Sequence, residues 1–522
     1  MSIGKAGNER SGGKLGAKRL KSSEVWSYAT GEGINSVAMN GIANFALLFY
    51  TQVMGMSPGL AGLALFLATF WDAITDPVMG TITDHTRSRY GRRHPYMLAG
   101  GILFSFSFVA LWIIPDAFRG QHVLFAYLLI VNLLVKTAFT AFIVPYSALG
   151  FEMCRTYADR ARLQGVRYGF YMLVNIAFGG FGWVLFFPDG QAADGSRIDG
   201  TRIEANYELM GIALGVVTLA LVLFCVFATR RYAQSTLVAA GPKTDAGTGI
   251  AGTLKPLWHD LKDVYSDRLV WFVFGFFGLA KFSMMVVSQV QMFTYIEYMA
   301  FTAAEKTFVH TGGMVAFAAG SLALGGLVTR LDKKRTGYLA MIIASAGGLG
   351  LYAVFPGGLL DPRASVGGFP VAVAAFGLLQ MMWWGGCGVL VPLAIAMIAD
   401  LSEMKRWQSG EVTEGRYAAG FSFFLKLANA LGLVVTGYLL TSIGYESGAS
   451  AQAPETVHKL AVTTFLAGPL LMAISFAMLR RYPVTHESME ALRRHYGVPG
   501  EDENGSAPVH GEPATVAGPP AG

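Results

Sequence analysis

The sequence predicts an all-α polytopic membrane protein: twelve transmembrane helices in two pseudo-symmetric bundles of six. Three observations carry this. Only 14% of the 522 residues are charged while 53% are hydrophobic, where soluble domains carry roughly 25% charged residues. Twelve apolar stretches each reach the length of about 20 residues that crosses a bilayer. A long polar connection, 232–267, containing GPKTDAGTGIAGT, separates the first six stretches from the last six. A soluble multidomain chain is excluded because its surface would need far more Lys, Glu, Asp and Arg. A net charge of +6 on so long a chain points to no nucleic-acid partner.

In chain order, residues 1–25 are polar and basic with no apolar core, so no cleavable signal peptide is expected and the first span is retained. The apolar stretches are 27–53, 58–83, 95–115, 122–150, 162–187, 208–229, 269–298, 307–329, 336–356, 367–399, 417–443 and 457–480. Several exceed 25 residues and are expected to tilt or to extend beyond the hydrocarbon. The third is short and interrupted by Pro115. The resulting organisation is a cytoplasmic basic tail (1–25), an N-terminal bundle (26–231), a central cytoplasmic loop (232–267), a C-terminal bundle (268–481) and a Gly/Pro/Ala-rich tail (482–522) expected to be disordered. Basic residues set the orientation, because positively charged loops stay cytoplasmic. With both termini inside, thirty of the forty Lys and Arg fall in cytoplasmic segments and six in outer loops: Arg119, Arg197, Arg202, Lys306, Arg363 and Lys459. Four remain within helices: Lys136, Arg167, Lys281 and Lys426. An integral protein of the plasma (inner) membrane, acting as a monomer, is the expected state. Cys154, Cys225 and Cys387 are far apart with no metal-binding spacing and read as packing residues.

The halves echo one another. Between helices 2 and 3 lies Gly80-x3-Asp84-HTRSRY-Gly91-Arg92-Arg93, and between helices 8 and 9 lies Gly326-x3-Arg330-Leu-Asp-Lys-Lys-Arg335. Six plus six helices with paired basic loops is how the major facilitator transporters are built. Asp84, Arg89, Arg92 and Arg93 are the candidate gating residues of the first loop.

Ionisable residues deep in lipid cost about 2.5–3.5 kcal/mol each on insertion scales and need a cavity or a partner. Helix 2 reads FLATFWDAITDPVMGTITD, so Asp72 and Asp76 lie four apart on one face, about 5–6 Å from each other at Cβ. Two carboxylates so close in low dielectric need a cation or a proton between them. Pro77 has no N–H to give the carbonyl of Ala73, which frees an oxygen suited to a hard cation such as Na+. Along helix 4, Lys136, Thr140 and Ile143 share one stripe, and Pro145 frees the carbonyl of Ala141. Lys426 lies deep in helix 11. Arg167 and Lys281 stand near helix ends, where both snorkelling and a role in a cavity remain open. Glu32 and His310 read as local hydrogen-bonding residues near helix ends.

The sequence contains no Gly-x-Ser-x-Gly, no His-Glu-x-x-His and no Walker loop, so neither an enzyme nor an ATP-driven pump is expected, and no cofactor beyond a coupling ion, H+ or Na+. At Trp71-Asp72-Ala73-Ile74-Thr75-Asp76-Pro77 followed by Arg87-x-Arg89-x-Gly91, the chain resembles the glycoside-pentoside-hexuronide:cation symporters. The resemblance extends over about residues 26–481, through Ser27-Tyr28, Tyr50-Thr51, Val144-Pro145-Tyr146, Ala399-Asp400 and Lys426. It implies cation-coupled symport of a sugar, glycoside or hexuronide by alternating access. It implies Na+, Li+ or H+ binding by Asp72, Asp76 and Thr140, with Lys426 in the same charged cluster near cation and solute.

Departures from the family matter as well. Carboxylates that grip galactosides in helices 1 and 4 of the family fall on Ser36 and Ile143, and a helix-5 Arg falls on Phe170, with Arg167 one turn earlier. Two deep carboxylates against Lys136, Lys281 and Lys426 leave one positive charge over, which suggests an anionic or zwitterionic solute. A Lys136 ammonium reaching Asp72 or Asp76 would compete with Na+ and favour proton coupling. WDAITDP and VPYSAL also resemble the animal sodium-dependent lysophospholipid symporter, a second solute class. A nontransporting sensor on the same fold would be expected to lose the helix-2 carboxylates, which this chain keeps.

Overall fold

The computed structural model describes residues 20–154, 157–232, 261–409, 414–484 and 486–495. The basic tail up to residue 19, the central connection 233–260 and the tail from 496 lie outside the described residues, so the expectations for them stand apart from the structure.

The helices follow the predicted order. Helix α1 comprises Ser22–Ala29, Glu32–Val37 and Ala43–Leu48, with π-helical turns at Ala38–Ile42 and Phe49–Val53. It is followed by α2 (Pro58–His85), α3 (His94–Ala110) and α4 (Gln121–Met153). Helix α5 runs Tyr157–Val174, then a π turn at Asn175–Gly180, then Gly182–Phe186, and α6 is Glu204–Thr229. The second half holds α7 (Arg268–Glu297), α8 (Ala303–Leu331), α9 (Lys333–Val354), α10 (Val371–Ser409), α11 (Glu414–Ser442) and α12 (Pro454–Arg480). A short α13 (His486–His495) follows. Among the described residues nine helices are long and apolar enough to cross a bilayer unbroken. The other three spans are α1 and α5, which π turns divide, and the 17-residue α3. Helix α3 stops at Ala110, five residues before the expected end, and Pro115 begins a separate 3-10 turn. Among the described residues the departures from all-α are a two-residue hairpin pairing Gly190–Gln191 with Arg197–Ile198 and an isolated bridge between Val366 and Phe369.

Local chemistry fixes the helix ends. Pro58 and Pro95 occupy first turns, where a missing N–H costs nothing. Asp267 accepts from the amide of Leu269 at 2.9 Å to cap α7. Thr302 and Glu305 form a reciprocal capping box on α8. At the α8–α9 junction the chain reverses through Asp332 alone, at φ 68.

Packing repeats with a period of six helices: α1 lies on α5 as α7 lies on α11, α2 and α3 on α4 as α8 and α9 on α10, and α3 on α6 as α9 on α12. The halves meet along α2–α11 and its pseudo-symmetric mate α5–α8. One face of the molecule carries the loops 86–93 and 332 and the start of α7, and most of the Lys and Arg; it is called here the basic face. The opposite face carries the α1–α2, α5–α6, α7–α8 and α11–α12 loops. At the opposite face the apolar cores of the halves fuse: Phe293, Tyr295, Phe376 and Leu440 of the second half pack in one cluster with Phe45, Phe49 and Trp183 of the first. Towards the basic face the second half keeps its own core, around Phe274, Phe277, Leu390, Met397 and Phe421. The halves are thus apolar-sealed at one face only.

Candidate functional site

Between the halves lie two polar regions. The first is on α2, α4 and α11. The spacing on α2 sets Asp72 and Asp76 on one face, and α4 presents Thr140 to both: its Oγ1 lies 3.0 Å from Asp72 Oδ1 and 2.9 Å from Asp76 Oδ1. Thr75 Oγ1 is 3.4 Å from the same hydroxyl. A hydroxyl has one proton to donate, so Thr140 can serve only one carboxylate at a time. Oxygens therefore converge here beyond what the protein's own protons satisfy, the arrangement a hard cation or an added proton completes. From across the seam Lys426 Nζ donates to Asp72 Oδ2 at 2.8 Å and to Asp76 Oδ2. Asp72 is buried, and Asp76 and Lys426 are half-buried. Two carboxylates and one ammonium in contact leave one negative charge within the contact cluster, with the Lys136 ammonium acting on Asp72 from beyond contact.

The predicted residues Asp72, Asp76, Thr140 and Lys426 are thus brought together. Lys136 is not part of their contacts: among the described residues it makes no hydrogen bond or ion pair, and it acts on Asp72 only through its field. The ammonium that occupies the carboxylates is Lys426. Lys136 sits one turn before Thr140 on α4, near enough for its charge to act on Asp72 but not in contact with it.

The second region is a cavity of about 240 Å³ bounded by α1, α5, α7, α8 and α10. Asn40 lies in the π turn of α1 and Asn175 opens that of α5. The extra backbone residue of such turns re-aims side chains and recurs at functional sites. Asn40 Nδ2 donates to Asn175 Oδ1 and, at 2.9 Å, to the carbonyl of Ser36. Tyr171, Ser288, His310 and Trp384 complete the polar and aromatic lining. His310 is nine-tenths buried, and its Nδ1 has no hydrogen-bond partner among the described residues. No Lys, Arg, Asp or Glu lines this cavity.

Ser36 is fully buried one turn from Asn40, and Ile143 packs against the core of the first half. Arg167 neither snorkels nor faces the cavity. It is ion-paired with buried Glu32, donates to Ser147 Oγ at 3.2 Å and stacks 5.0 Å from the Tyr146 ring, tying α1, α4 and α5 together. Lys281 is half-buried, with no ion pair among the described residues. Of the gating residues, Arg93 bridges Asp84 at 2.7 Å and Glu152 at 2.9 Å, and Arg92 joins Glu152. Arg89 is exposed over Tyr90. The second half repeats the device: Lys333, which opens α9, bridges Asp400 of α10 at 2.6 Å, so in each half the junction between the second and third helices is tied to the fourth. Sequence reasoning missed Asn40, Asn175 and Glu152. An amide inside an otherwise apolar stretch, as in VAMNGIANF and MLVNIAF, was the available signal. The cysteines are free and buried, as packing residues are.

Two pseudo-symmetric bundles with a charge cluster and a polar cavity between them define a membrane transporter of the major facilitator kind. The chain belongs to the MFS/sugar transport protein family, whose model matches residues 27–486. It is 25% identical over 470 residues to the glucuronide carrier protein homolog of Escherichia coli strain K12, covering 90% of this chain and 94% of that protein. The sodium-dependent lysophosphatidylcholine symporter 1 of Gallus gallus matches only 144 residues at 30% identity, 27% of each chain. The crystal structure of a D-xylose-proton symporter shares the fold, with a TM-score of 0.55 at 12% identity over 88% of this chain and 98% of that one.

Proposed function

We propose that the protein is a cation-coupled symporter of a sugar or glycoside, with the cation at Asp72, Asp76 and Thr140 and the solute in the Asn40–Asn175 cavity. The observation that carries this is the pair of sites itself: a charge cluster short of one positive charge, and a neutral amide-lined cavity, both at the junction of halves that are sealed at one face. Amide and hydroxyl groups around an aromatic face suit the alternating hydroxyls and C–H patches of a sugar ring. The expectation of an anionic solute rested on counting deep charges. Lys426 is spent on the two aspartates, and neither Lys136 nor Lys281 lines the cavity, so a neutral glycoside fits better than a uronide. The lysophospholipid reading has the weaker support of a match to about a quarter of the chain.

Coupling follows from electrostatics. Empty, the cluster carries a net negative charge that is costly to move through a dry, closed intermediate. One bound monovalent cation neutralises it, so the loaded carrier reorients readily while the empty carrier returns more slowly, carrying that charge through the closed state. Because Lys426 already occupies both carboxylates, a proton, which needs only one oxygen, enters with less rearrangement than Na+. The basic face is cytoplasmic on the positive-inside argument, and α1 begins and α12 ends there. The protein then stands open towards the cytoplasm.

Uptake of radiolabelled sugars into proteoliposomes under separate pH and Na+ gradients tests this. Accumulation of a neutral glycoside driven by the pH gradient is expected. Accumulation driven by Na+ alone overturns the choice of ion, and transport of glucuronides with no uptake of neutral glycosides overturns the choice of solute.

A further inference from the structure

The face opposite the basic one is closed by more than apolar packing. Segment 189–203, between α5 and α6, is folded tightly upon its own half: Asp199 accepts from the amide and hydroxyl of Thr201 at 3.0 and 2.7 Å, Arg197 pairs with Asp189 at 3.1 Å, and Asn206 donates to the carbonyl of Gly200 at 2.8 Å. From this rigid base three side chains cross to the other half. Arg202 pairs with Glu297 at 2.6 Å and donates to the carbonyls of Ala449 and Ser450 at 2.7 and 2.9 Å. Asp199 pairs with Lys306. Arg197 donates to the carbonyls of Ala300 and Phe301 at 3.2 and 2.7 Å. Glu297 also accepts from Gln52 of α1 at 2.9 Å.

Lys306 is 1% exposed and Glu297 is buried, so these ions have left water. Such ions hold firmly when paired and are costly when separated. Although burial opposes ionisation of Asp199, the Lys306 ammonium and the bonds from Thr201 overcome it and hold that carboxyl below its usual range. Arg197, Asp199, Arg202 and Glu297 line a space of about 1150 Å³ open to this face, through which water can reach them when the pairs part. Lys306 also lies 5.5 Å over the ring of Trp183, whose ring neighbours include, at 6.1 Å, the cavity residue His310.

We propose that segment 189–203 is an outer latch: a preformed strap whose Arg197, Asp199 and Arg202 hold the two halves shut on the non-cytoplasmic side, with Trp183 linking it to the solute cavity. Opening to the outside requires these pairs to separate together. The latch rests on the orientation proposed above. Relative to the family reading, it adds the residues that set how often the empty carrier opens outward.

The test places a reporter thiol in the cavity, Ala318→Cys, and labels it with a membrane-impermeant maleimide applied from either side of oriented vesicles. In the parent the reporter is expected to react from the cytoplasmic side and hardly from outside. Combining Arg202→Ala with Lys306→Met should raise the outside labelling rate about tenfold or more, the response to losing roughly 1.4 kcal/mol of differential contact. Exchanging the charges, Arg202→Glu with Glu297→Arg, should return the rate towards the parent. Should the double variant unfold, Arg202→Lys, which keeps the charge but loses the fork onto two carbonyls, is expected to give an intermediate rate. Parent-like outside labelling in a double variant that melts as the parent does, or a charge exchange no slower than the single Arg202→Ala variant, overturns the latch. Reversed sidedness in the parent would overturn the orientation alone, because the variants would still raise labelling from the closed side.

Discussion

The two seams between the halves occupy equivalent places in the fold and are built in opposite ways. Along α2–α11 the backbones touch. A Cβ added at Gly62 would lie 2.8 Å from the carbonyl oxygen of Leu433 and 3.1 Å from the Cα of Gly437, so only glycine permits the approach. Deeper along the same seam Lys426 reaches across to Asp72 and Asp76. Along α5–α8 the contacts are made by side chains: Lys306 with Asp199, Trp183 with His310, and the cavity between them. One seam is a close hinge carrying the charge cluster, and the other a wider, polar seam carrying the cavity. A close seam keeps a few charges in register while the halves rock, whereas a wide one leaves room for a solute of several hydrogen-bonding groups. Pseudo-symmetry of the fold thus coexists with division of labour between its seams.

The largest effect should come from breaking the charge cluster. Asp72→Asn leaves Lys426 with one carboxylate and removes an oxygen from the site. Losing one member of a buried cluster costs about 3–5 kcal/mol, hence on the order of 100-fold or more in cation affinity. Gradient-driven accumulation should vanish while solute counterflow at equal concentrations survives; loss of both together would mean that α2 also holds the solute. Next is the hinge. Gly62→Val overpacks the α2–α11 contact at about 1–3 kcal/mol, lowering thermal stability and turnover. At Gly180, on the α5 side of the other seam, a Cβ would meet the side chain of Thr311, its Oγ1 at 2.6 Å, rather than backbone, so Gly180→Ala should cost less because a side chain can shift where a backbone cannot. Equal penalties at the two sites would erase the distinction between the seams.

How much of this was legible in the sequence differs along the same lines. The cluster could be read because its parts obey local rules: Asp72 and Asp76 are one helical turn apart, and a carboxylate pair inside a membrane span demands a partner. The identity of that partner could not be read from spacing. Lys136 and Lys426 are both deep ammoniums, and spacing within one helix does not say which of them packs against Asp72 from across the seam. The cavity was less legible, since Asn40 and Asn175 are neutral and leave no mark on a charge count. The latch was not legible at all. Arg202 and Glu297 are 95 positions apart and Asp199 and Lys306 are 107 apart, the first of each pair on an irregular segment and the second at a helix end, so in sequence they are merely outer charges.

On the cavity seam, Asn40→Ala removes a side chain that bonds both Asn175 and the carbonyl of Ser36. The loss of one or two neutral hydrogen bonds to the solute, each worth about 0.5–1.5 kcal/mol, should weaken solute affinity roughly tenfold while the cation dependence of uptake stays where it was. A shifted cation dependence would join the two seams that the structure separates.

The smallest effect is expected at Arg167, a deep cation whose contacts lie in neither seam. Its guanidinium meets Glu32, the hydroxyl of Ser147 and the face of Tyr146 at once, and that ring in turn stacks on Tyr28 at 4.4 Å, each tyrosine hydroxyl donating to the other's carbonyl. All of these groups belong to the first half. A planar fork that stacks and pairs at the same time is not matched by an ammonium, so Arg167→Lys should keep the ion pair with Glu32, lose the stacking and the second donor, and lower stability by about 1 kcal/mol. Solute selectivity and the choice of coupling ion should be unchanged, because neither the cavity nor the α2 cluster is touched. A thermal melt paired with competition by a panel of glycosides checks both halves of that expectation; a changed order of preference among the glycosides would place Arg167 in solute recognition after all.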